Sequence, residues 1–299
     1  MRWIRACPYR CDDGGVPAFP RAPLRVAAIQ AEPHPGDVAD NVALAARLAG
    51  RAAGDGARVA VLPELFVSGY HPPTLRADPG RTDLLTDGSG TVDDIRLDRL
   101  RAVARDQQIV VVLSAAVRHP GGRRTISVLL ADRRGGVTCG YDKQHLSGAD
   151  ERELFCAGNQ GATLAVDGWW FGLAVCHDLS FPEHGRAAAD DGAHGYLCSI
   201  AYFDGSQYRR DLHGAARALD NSLYVVVANQ VGGVSPGRFN GGSAIYEPEG
   251  RPLRRAPDFG EHVVLADLDP AELRRVREAQ PMREERRADL GSVRKLCRG

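Results

Sequence analysis

Short apolar runs alternate with helical segments along this chain, and no other feature restricts its fold as strongly. An apolar strand-like run at 24–30 is followed by a helical pattern at 37–51, and a second run at 170–175 is followed by one at 182–191. This alternation predicts an α/β layered fold. Between 109 and 141, three strand-like runs follow one another without a helix. That order argues against a purely parallel, doubly wound sheet and favours two sheets with helices outside them.

The chain has no low-complexity linker, so we expect a single domain at residues 23–280. Residues 1–22 contain several prolines and charges and lack the continuous apolar core of a signal peptide, which predicts a flexible N-terminal extension. Residues 281–299 are interpreted as a C-terminal tail. No window of the sequence has the length of an apolar membrane span.

Composition excludes several classes of partner. Lysine plus arginine equals aspartate plus glutamate at 38 each, so nothing in the charge balance favours nucleic acid or an anionic membrane. The seven cysteines are scattered without a disulfide framework, which indicates reduced thiols and a cytoplasmic protein. Cys7 and Cys11 form a close pair, but no second Cys/His pair at zinc spacing accompanies them, so we expect no metal. No glycine-rich phosphate-binding motif occurs, so no nucleotide site is predicted.

Two charged residues stand directly after predicted strands. Glu64 follows the apolar run at 59–62, and a half-buried carboxyl there would have a raised pKa that suits a general base. A helix cap or an ion pair is the alternative interpretation of Glu64. Lys143 follows the run at 136–141, where it could stabilise a developing oxyanion. Taken alone, Lys143 is a weak signal because most lysines are solvated at the surface.

Cys176 lies between the strand at 170–175 and a helix that begins near Pro182. Helix N–H groups and the positive end of the helix dipole favour the thiolate, which is the nucleophilic form of cysteine. The alternative is a buried structural cysteine. Cys139, Cys156 and Cys198 fit that alternative better, because none of them has this strand–turn–helix context.

Taken together, these segments resemble the nitrilase (carbon–nitrogen hydrolase) superfamily. The likeness is carried by Pro-Glu-Leu-Phe at 63–66, Tyr-Asp-Lys-Gln-His-Leu at 141–146 and Val-Cys-His-Asp-Leu-Ser-Phe-Pro-Glu at 175–183, and flanking similarity covers roughly 24–270. It implies a four-layer α-β-β-α sandwich, homodimers or higher homo-oligomers, and no cofactor. It also implies that Glu151 orients Lys143, with Glu153 as the alternative, and that four residues bind substrate: Tyr70, His177, Tyr202 and Asn229.

The resemblance implies a thiol amidohydrolase that cleaves a small linear amide or an N-carbamoyl compound through an acyl-thioester. Glu64 would be the general base, Cys176 the nucleophile, and Lys143 with the backbone N–H of His177 the oxyanion donors. A nitrilase, an amide-forming acyltransferase and an inactive scaffold remain alternatives. Many amidase members carry tyrosine, tryptophan or asparagine where this chain has His177. Arg209 or Arg210 is a candidate for pairing with a substrate carboxylate, with plain surface charge as the alternative.

Overall fold

Two mixed β-sheets and the helices that flank them make up the fold of this computed structural model, which describes residues 11–12, 16–233, 237–287, 289, 291–292 and 295. The α-helices of these residues are α1 (Val38–Gly54), α2 (Pro72–Ala77), α3 (Pro79–Thr82), α4 (Asp98–Asp106), α5 (Gly148–Leu154), α6 (Pro182–Asp190), α7 (Gln207–Asn221), α8 (Pro270–Ala279) and α9 (Met282–Glu285). Short 3-10 helices lie at Ile95–Leu97 and Cys176–Ser180.

The strands are short, and most end within one or two residues of the predicted runs. They are β1 (Cys11–Asp12), β2 (Val16–Pro17), β3 (Leu24–Gln30), β4 (Val59–Val61), β5 (Leu84–Leu85), β6 (Val110–Arg118), β7 (Arg124–Ala131), β8 (Val137–Asp142), β9 (Thr163–Val166), β10 (Trp169–Val175), β11 (Gly195–Ile200), β12 (Tyr224–Asn229), β13 (Val231–Gly232), β14 (Phe239–Asn240), β15 (Ala244–Tyr246), β16 (Pro252–Arg255) and β17 (His262–Leu268).

The first large sheet has the order β17-β3-β4-β6-β7-β8, with β5 beside β6, and the second has the order β16-β15-β12-β11-β10-β9. Pairing is parallel along β3, β4 and β6, where helices make the crossovers, and antiparallel along β6, β7 and β8, where tight turns connect the strands. The consecutive strands between 109 and 141 are therefore an antiparallel extension of a parallel centre, which agrees with the expectation that the sheet is not purely parallel.

Alternation of side chains along each strand produces the layers. In β3, Val26 and Ala28 point into the apolar core between the two sheets, whereas Ala27 and Ile29 point towards α1 and α4. Helices α6 and α7 cover the outer face of the second sheet in the same way. The fold is thus an α-β-β-α sandwich, and the predicted fold class is confirmed.

Helix α1 shows how the sequence makes an outer layer. Asp37 caps its N-terminus by accepting a hydrogen bond from the N–H of Asp40 at 3.2 Å, and small or aliphatic residues recur at helical spacing on one buried face. Val42 and Leu48 on that face are fully buried against the first sheet. Burial of such a side chain contributes about 1.5–3 kcal/mol.

The ends of the chain contact the domain beyond the predicted boundaries. Phe19 packs edge-on against His194 at 5.6 Å between ring centres, and the Arg274 guanidinium lies 4.4 Å from the centre of the Phe19 ring. The carbonyl of Ala22 accepts a hydrogen bond from the Trp169 indole at 2.9 Å. Packing therefore begins at least as early as Phe19. Phe19 and Ala22 belong to the segment for which flexibility was predicted, and they are packed. Residues 1–10 and 13–15, and with them Cys7, lie outside the described part of the chain.

The domain division at 23–280, and the tail that follows it, stay predictions. Arg286 in that tail forms an ion pair with Asp190 of α6 at 2.7 Å. None of the helices in the described ranges is long and apolar enough to cross a membrane.

Candidate active site

Three strands carry chemically active residues to one place between the sheets. Glu64 follows β4, Lys143 directly follows β8, and Cys176 directly follows β10. Strands β4 and β8 belong to the first sheet and β10 to the second, so the sandwich brings together residues that are far apart in sequence. The structure thus unites the three residues singled out from the sequence.

Lys143 forms the centre of a buried ionic group. Its Nζ lies 2.6 Å from Oε1 of Glu64 and 2.8 and 2.7 Å from the two carboxylate oxygens of Glu151. Lys143 and Glu64 have no solvent exposure, and Glu151 is 3% exposed. A buried ammonium requires paired, hydrogen-bonded partners, and two carboxylates supply them here. With all three groups ionised, the net charge is −1.

Glu151 is fixed from two further sides. Its Oε1 accepts a hydrogen bond from the Tyr70 hydroxyl at 2.7 Å, and its Oε2 accepts one from the Ser147 backbone N–H at 2.7 Å. The alternative residue, Glu153, lies on the outer face of α5 and pairs with Arg76 at 2.8 Å in solvent. The partner of Lys143 is therefore Glu151 and not Glu153.

Cys176 occupies an unusual backbone conformation. Its φ is +45°, and Leu65, directly after Glu64, has a φ of +48°. A non-glycine residue in the left-handed region costs about 1–3 kcal/mol and persists only where the surrounding structure holds it. Strain at the residues bearing or adjoining the thiol and the carboxylate is a common mark of a functional site.

Burial controls the proton affinities of the site. It raises the pKa of Glu64 to about 7; the charge of Lys143 opposes this rise, and the Glu151 carboxylate adds to it. Burial, reinforced by the nearby Glu64, raises the pKa of the Cys176 thiol well above its usual value. For Lys143, burial acts to lower the pKa, but the charges of Glu64 and Glu151 outweigh it, so the pKa rises and the amine stays protonated.

The expectation that a helix N-terminus would favour a free thiolate at Cys176 is therefore wrong for this structure. The thiol lies at the start of a 3-10 helix of only five residues, Cys176–Ser180, and burial next to Glu64 disfavours its ionised form. A protonated thiol beside a carboxyl of pKa about 7 requires transfer of its proton to Glu64 during attack.

Asp178 connects the segment that carries Lys143 to the segment that carries Cys176. Its Oδ2 accepts hydrogen bonds from the N–H of Val175 at 2.9 Å and the Tyr141 hydroxyl at 2.8 Å. Its Oδ1 accepts from the N–H and the ring Nδ1 of His145 at 2.9 and 2.8 Å. Val175, directly before Cys176, and His145, two residues after Lys143, thus both bind one fully buried carboxylate. Asp178 stands within the cysteine motif, but no local sequence pattern indicates this structural role.

The network continues away from Asp178 with defined donors. Because the Tyr141 hydroxyl donates to Asp178, it accepts from Nε2 of His184 at 2.8 Å, and Nδ1 of His184 accepts from the Tyr196 hydroxyl at 2.7 Å. Burial lowers the pKa of His184, which is consistent with this neutral tautomer. This series of hydrogen bonds fixes the loop after β8 against the second sheet.

A cavity of about 180 Å³ opens above Cys176. Its wall includes three of the four predicted substrate-binding residues, Tyr70, His177 and Tyr202, together with Glu151. Burial lowers the pKa of His177, and the charge of Lys143 lowers it further, so His177 is neutral at pH 7. The wall also contains three serines that no sequence motif indicated: Ser147, Ser180 and Ser206.

Asn229 lies behind the wall and not on it. Its Oδ1 accepts the N–H of Tyr202 at 2.9 Å, and its Nδ2 donates to the carbonyl of Gly241 at 2.6 Å and to Oδ1 of Asn240 at 2.8 Å. With no solvent exposure, Asn229 supports the backbone of Tyr202. The prediction that Asn229 touches substrate is corrected accordingly.

A group of possible metal ligands lies away from this cavity, at His119, Cys139 and Asp142. Asp142 is already engaged there by Arg123 at 2.5 Å and by the Ser127 hydroxyl at 2.7 Å. A guanidinium at this distance competes with a cation, so the arrangement is that of an ion-paired edge of the sheet.

Comparison with known proteins agrees with this geometry. The family model for carbon-nitrogen hydrolases matches residues 25–278. An (R)-stereoselective amidase from a Pseudomonas species is 31% identical, over 82% of this chain and 86% of the relative. The deaminated glutathione amidase of Escherichia coli O157:H7 is 30% identical, over 83% of this chain and 91% of the relative.

A solved structure is similar over almost its whole length. It is a variant of the amidase from Nesterenkonia sp. AN1 that carries the acetamide moiety of fluoroacetamide on its active-site cysteine. The two chains superpose with a TM-score of 0.74 at 32% sequence identity, covering 89% of this chain and 98% of the other. Sequence and structure agree over most of the length, and the chain belongs to the carbon–nitrogen hydrolase family as an amidase-type member of the nitrilase superfamily.

Proposed function

We propose that this protein hydrolyses a small linear amide or N-carbamoyl compound, with Cys176 as the nucleophile and an acyl-thioester as the intermediate. The observation that carries the proposal is the buried Glu64–Lys143–Glu151 group next to Cys176, because Cys176 and Glu151 line the cavity and Glu64 and Lys143 lie directly behind them. It combines a base of suitable proton affinity, a permanent positive charge and a thiol within reach of one small molecule.

In the first half-reaction, Sγ of Cys176 attacks the carbonyl carbon while its proton passes to Glu64. The positive charge of Lys143 stabilises the resulting oxyanion. The backbone N–H of His177 also stabilises it, because first-turn N–H groups of a helix have no intrahelical partner. The tetrahedral intermediate collapses as the carbon–nitrogen bond breaks and Glu64 returns the proton to the leaving nitrogen. Ammonia or an amine departs, and the acyl group stays on sulfur.

In the second half-reaction, Glu64 takes a proton from water, whose oxygen attacks the thioester carbon. Collapse releases the carboxylic acid and restores the Cys176 thiol with the proton held by Glu64. Glu151 orients the Lys143 ammonium throughout, since both of its oxygens are bonded to that amine. A positioned acid–base of this kind contributes roughly a hundred- to ten-thousand-fold in rate.

The size of the cavity supports a small substrate. Its volume of about 180 Å³ is below the roughly 300–1,000 Å³ of pockets for drug-sized ligands. The two relatives described above are named as amidases, which favours an amide over a nitrile.

We further propose a cytoplasmic homo-oligomer. Cys139, Cys156, Cys176 and Cys198 are free thiols, in keeping with a reducing compartment. Helix α7 exposes three large apolar side chains along its length, Tyr208, Leu212 and Leu219, which supports burial of this helix against a second copy. Light scattering of the purified protein tests the assembly.

Release of ammonia from a matched panel of amides, N-carbamoyl compounds and nitriles tests the function. We expect turnover of a short aliphatic amide by the wild type and none by Cys176→Ala, which removes only the sulfur. Cys198→Ala is the matched control, because Cys198 is buried in the second sheet and lies outside the cavity wall. Hydrolysis of nitriles alone, or turnover by Cys176→Ala, would overturn the proposal.

A further inference from the structure

A positively charged side chain lines the catalytic cavity and takes no part in the chemistry described above. Arg209 forms part of the same wall as Cys176 and Glu151, but it is exposed to solvent whereas Glu151 is buried. Arg209 therefore stands at the outer part of the cavity and the reacting groups at the inner part. Within the described residues, no carboxylate forms an ion pair with Arg209.

The neighbouring Arg210 is different and shows what a structural arginine looks like here. Its side chain is 1% exposed and donates to the carbonyls of Asn240 and Gly241 at 3.0 and 2.8 Å. It also pairs with Asp258 at 3.1 Å. Successive residues on a helix point about 100° apart, so one arginine braces the fold and the other faces the cavity. Arg210 is therefore engaged in the fold, and Arg209 is the arginine of the two that faces the cavity.

The surroundings of Arg209 add positive potential on the same side. Ser206, which also lines the cavity, precedes α7 but does not cap it, since its hydroxyl donates to the carbonyl of Phe203 instead. The first N–H groups of this 15-residue helix thus lack a side-chain cap beside the cavity. Behind the wall, His213 lies 3.1 Å from the hydroxyl of Tyr202; burial lowers its pKa, and the charges of Arg217 and Arg209 lower it further.

We propose that Arg209 binds a carboxylate of the substrate, so that the protein prefers amides that carry an anionic group at the end remote from the scissile bond. The inference rests on the proposed amidase function and names its substrate class. A guanidinium recognises a carboxylate through two parallel hydrogen bonds. The cavity is small, about 180 Å³, which favours a short chain between amide and carboxylate.

Glutaramate and glutaramide form a suitable pair of probes, because they have the same shape and differ only in a carboxylate against an amide. The measurement is the ratio of kcat/KM for glutaramate to that for glutaramide, with butyramide as a neutral reference. We expect a ratio well above one in the wild type. Arg209→Gln should lower the ratio roughly 10- to 100-fold, the range for loss of a hydrogen bond to a charged group. Arg209→Lys should restore part of it, since lysine keeps the charge but not the planar fork.

Arg152→Gln is the matched control, because Arg152 is exposed on α5 and does not line the cavity. It removes the same unit of charge from the surface and should leave the ratio at the wild-type value. Added salt should reduce the wild-type preference, because the guanidinium is exposed and its charge is screened. Thermal unfolding of each variant verifies that the fold is intact.

The outcomes separate this inference from the function on which it rests. Hydrolysis of all three amides with no preference for glutaramate, or an unchanged ratio in Arg209→Gln, overturns the role of Arg209 and leaves the amidase function standing. Failure to hydrolyse any amide, neutral ones included, overturns both. A wild-type preference that falls in Arg209→Gln and persists in Arg152→Gln supports the inference.

Discussion

Replacement of Asp178 by asparagine tests whether one buried carboxylate holds the catalytic loops together. The carboxylate accepts four hydrogen bonds, two on each oxygen, from Val175, Tyr141 and twice from His145, at 2.8–2.9 Å. Asparagine has the same shape but only one acceptor oxygen. Whichever way the amide points, two donors face an NH₂ group that cannot accept.

The structure sets the size of the effect. A hydrogen bond to a charged group contributes about 1.5–3 kcal/mol, so loss of two should lower the free energy of unfolding by about 3–6 kcal/mol. Two of the four donors are the backbone N–H groups of Val175 and His145, next to Cys176 and close to Lys143. Misplacement of a reacting group by about 1 Å costs on the order of 100-fold in rate, so kcat should fall by at least that factor in Asp178→Asn.

The assay combines urea unfolding, followed by tryptophan fluorescence, with kcat on the best amide of the panel. Asp93→Asn is the matched control, because the Asp93 side chain is 92% exposed and, among the residues that the structure describes, pairs with Arg101 alone, at 3.2 Å. It should change stability by well under about 1 kcal/mol. An Asp178→Asn protein with wild-type stability and kcat would refute the reasoning.

The remaining predictions concern the groups around Lys143. Burial raises the pKa of Glu64 to about 7, and the base must be ionised to accept a proton. The kcat/KM should therefore rise with pH through about 7. A pH profile that is flat from roughly 5 to 8 would contradict this prediction. Tyr70→Phe removes the 2.7 Å hydrogen bond to Glu151 and should lower kcat/KM roughly tenfold or more, as steady-state kinetics will show; wild-type kinetics would count against an orienting role for Glu151. Lys143→Ala removes the oxyanion charge and should cost about 3–4 kcal/mol of transition-state stabilisation or more in the amide assay; retention of most activity would exclude Lys143 as the main donor.

The main strands and the three reactive residues that follow them could be predicted from sequence, because both depend on local pattern. Buried strands appear as apolar runs, and β3 begins and ends at the residues predicted. Helix α5, by contrast, was not predicted, because Gly148–Leu154 contains little apolar periodicity. It is placed by tertiary contacts, which bury Glu151 against Lys143.

The errors came from effects that act across the fold. The proton affinity of Cys176 depends on burial between two sheets, which a local strand–turn–helix pattern does not contain. Asn229 is the last residue of the buried strand β12, and its hydrogen bonds go to Tyr202 and to the loop after β14. The choice between Arg209 and Arg210 needed the rotation of α7 relative to the cavity, which adjacent letters do not give.

The most direct test of the central claim is capture of the covalent intermediate. Wild-type protein is mixed with a turned-over amide, quenched in acid during the steady state, digested and examined by mass spectrometry. An acyl group on the peptide that contains Cys176, absent from Cys176→Ala, is the predicted result. Turnover with the acyl group on another residue, or sustained turnover by the alanine variant, would contradict the account.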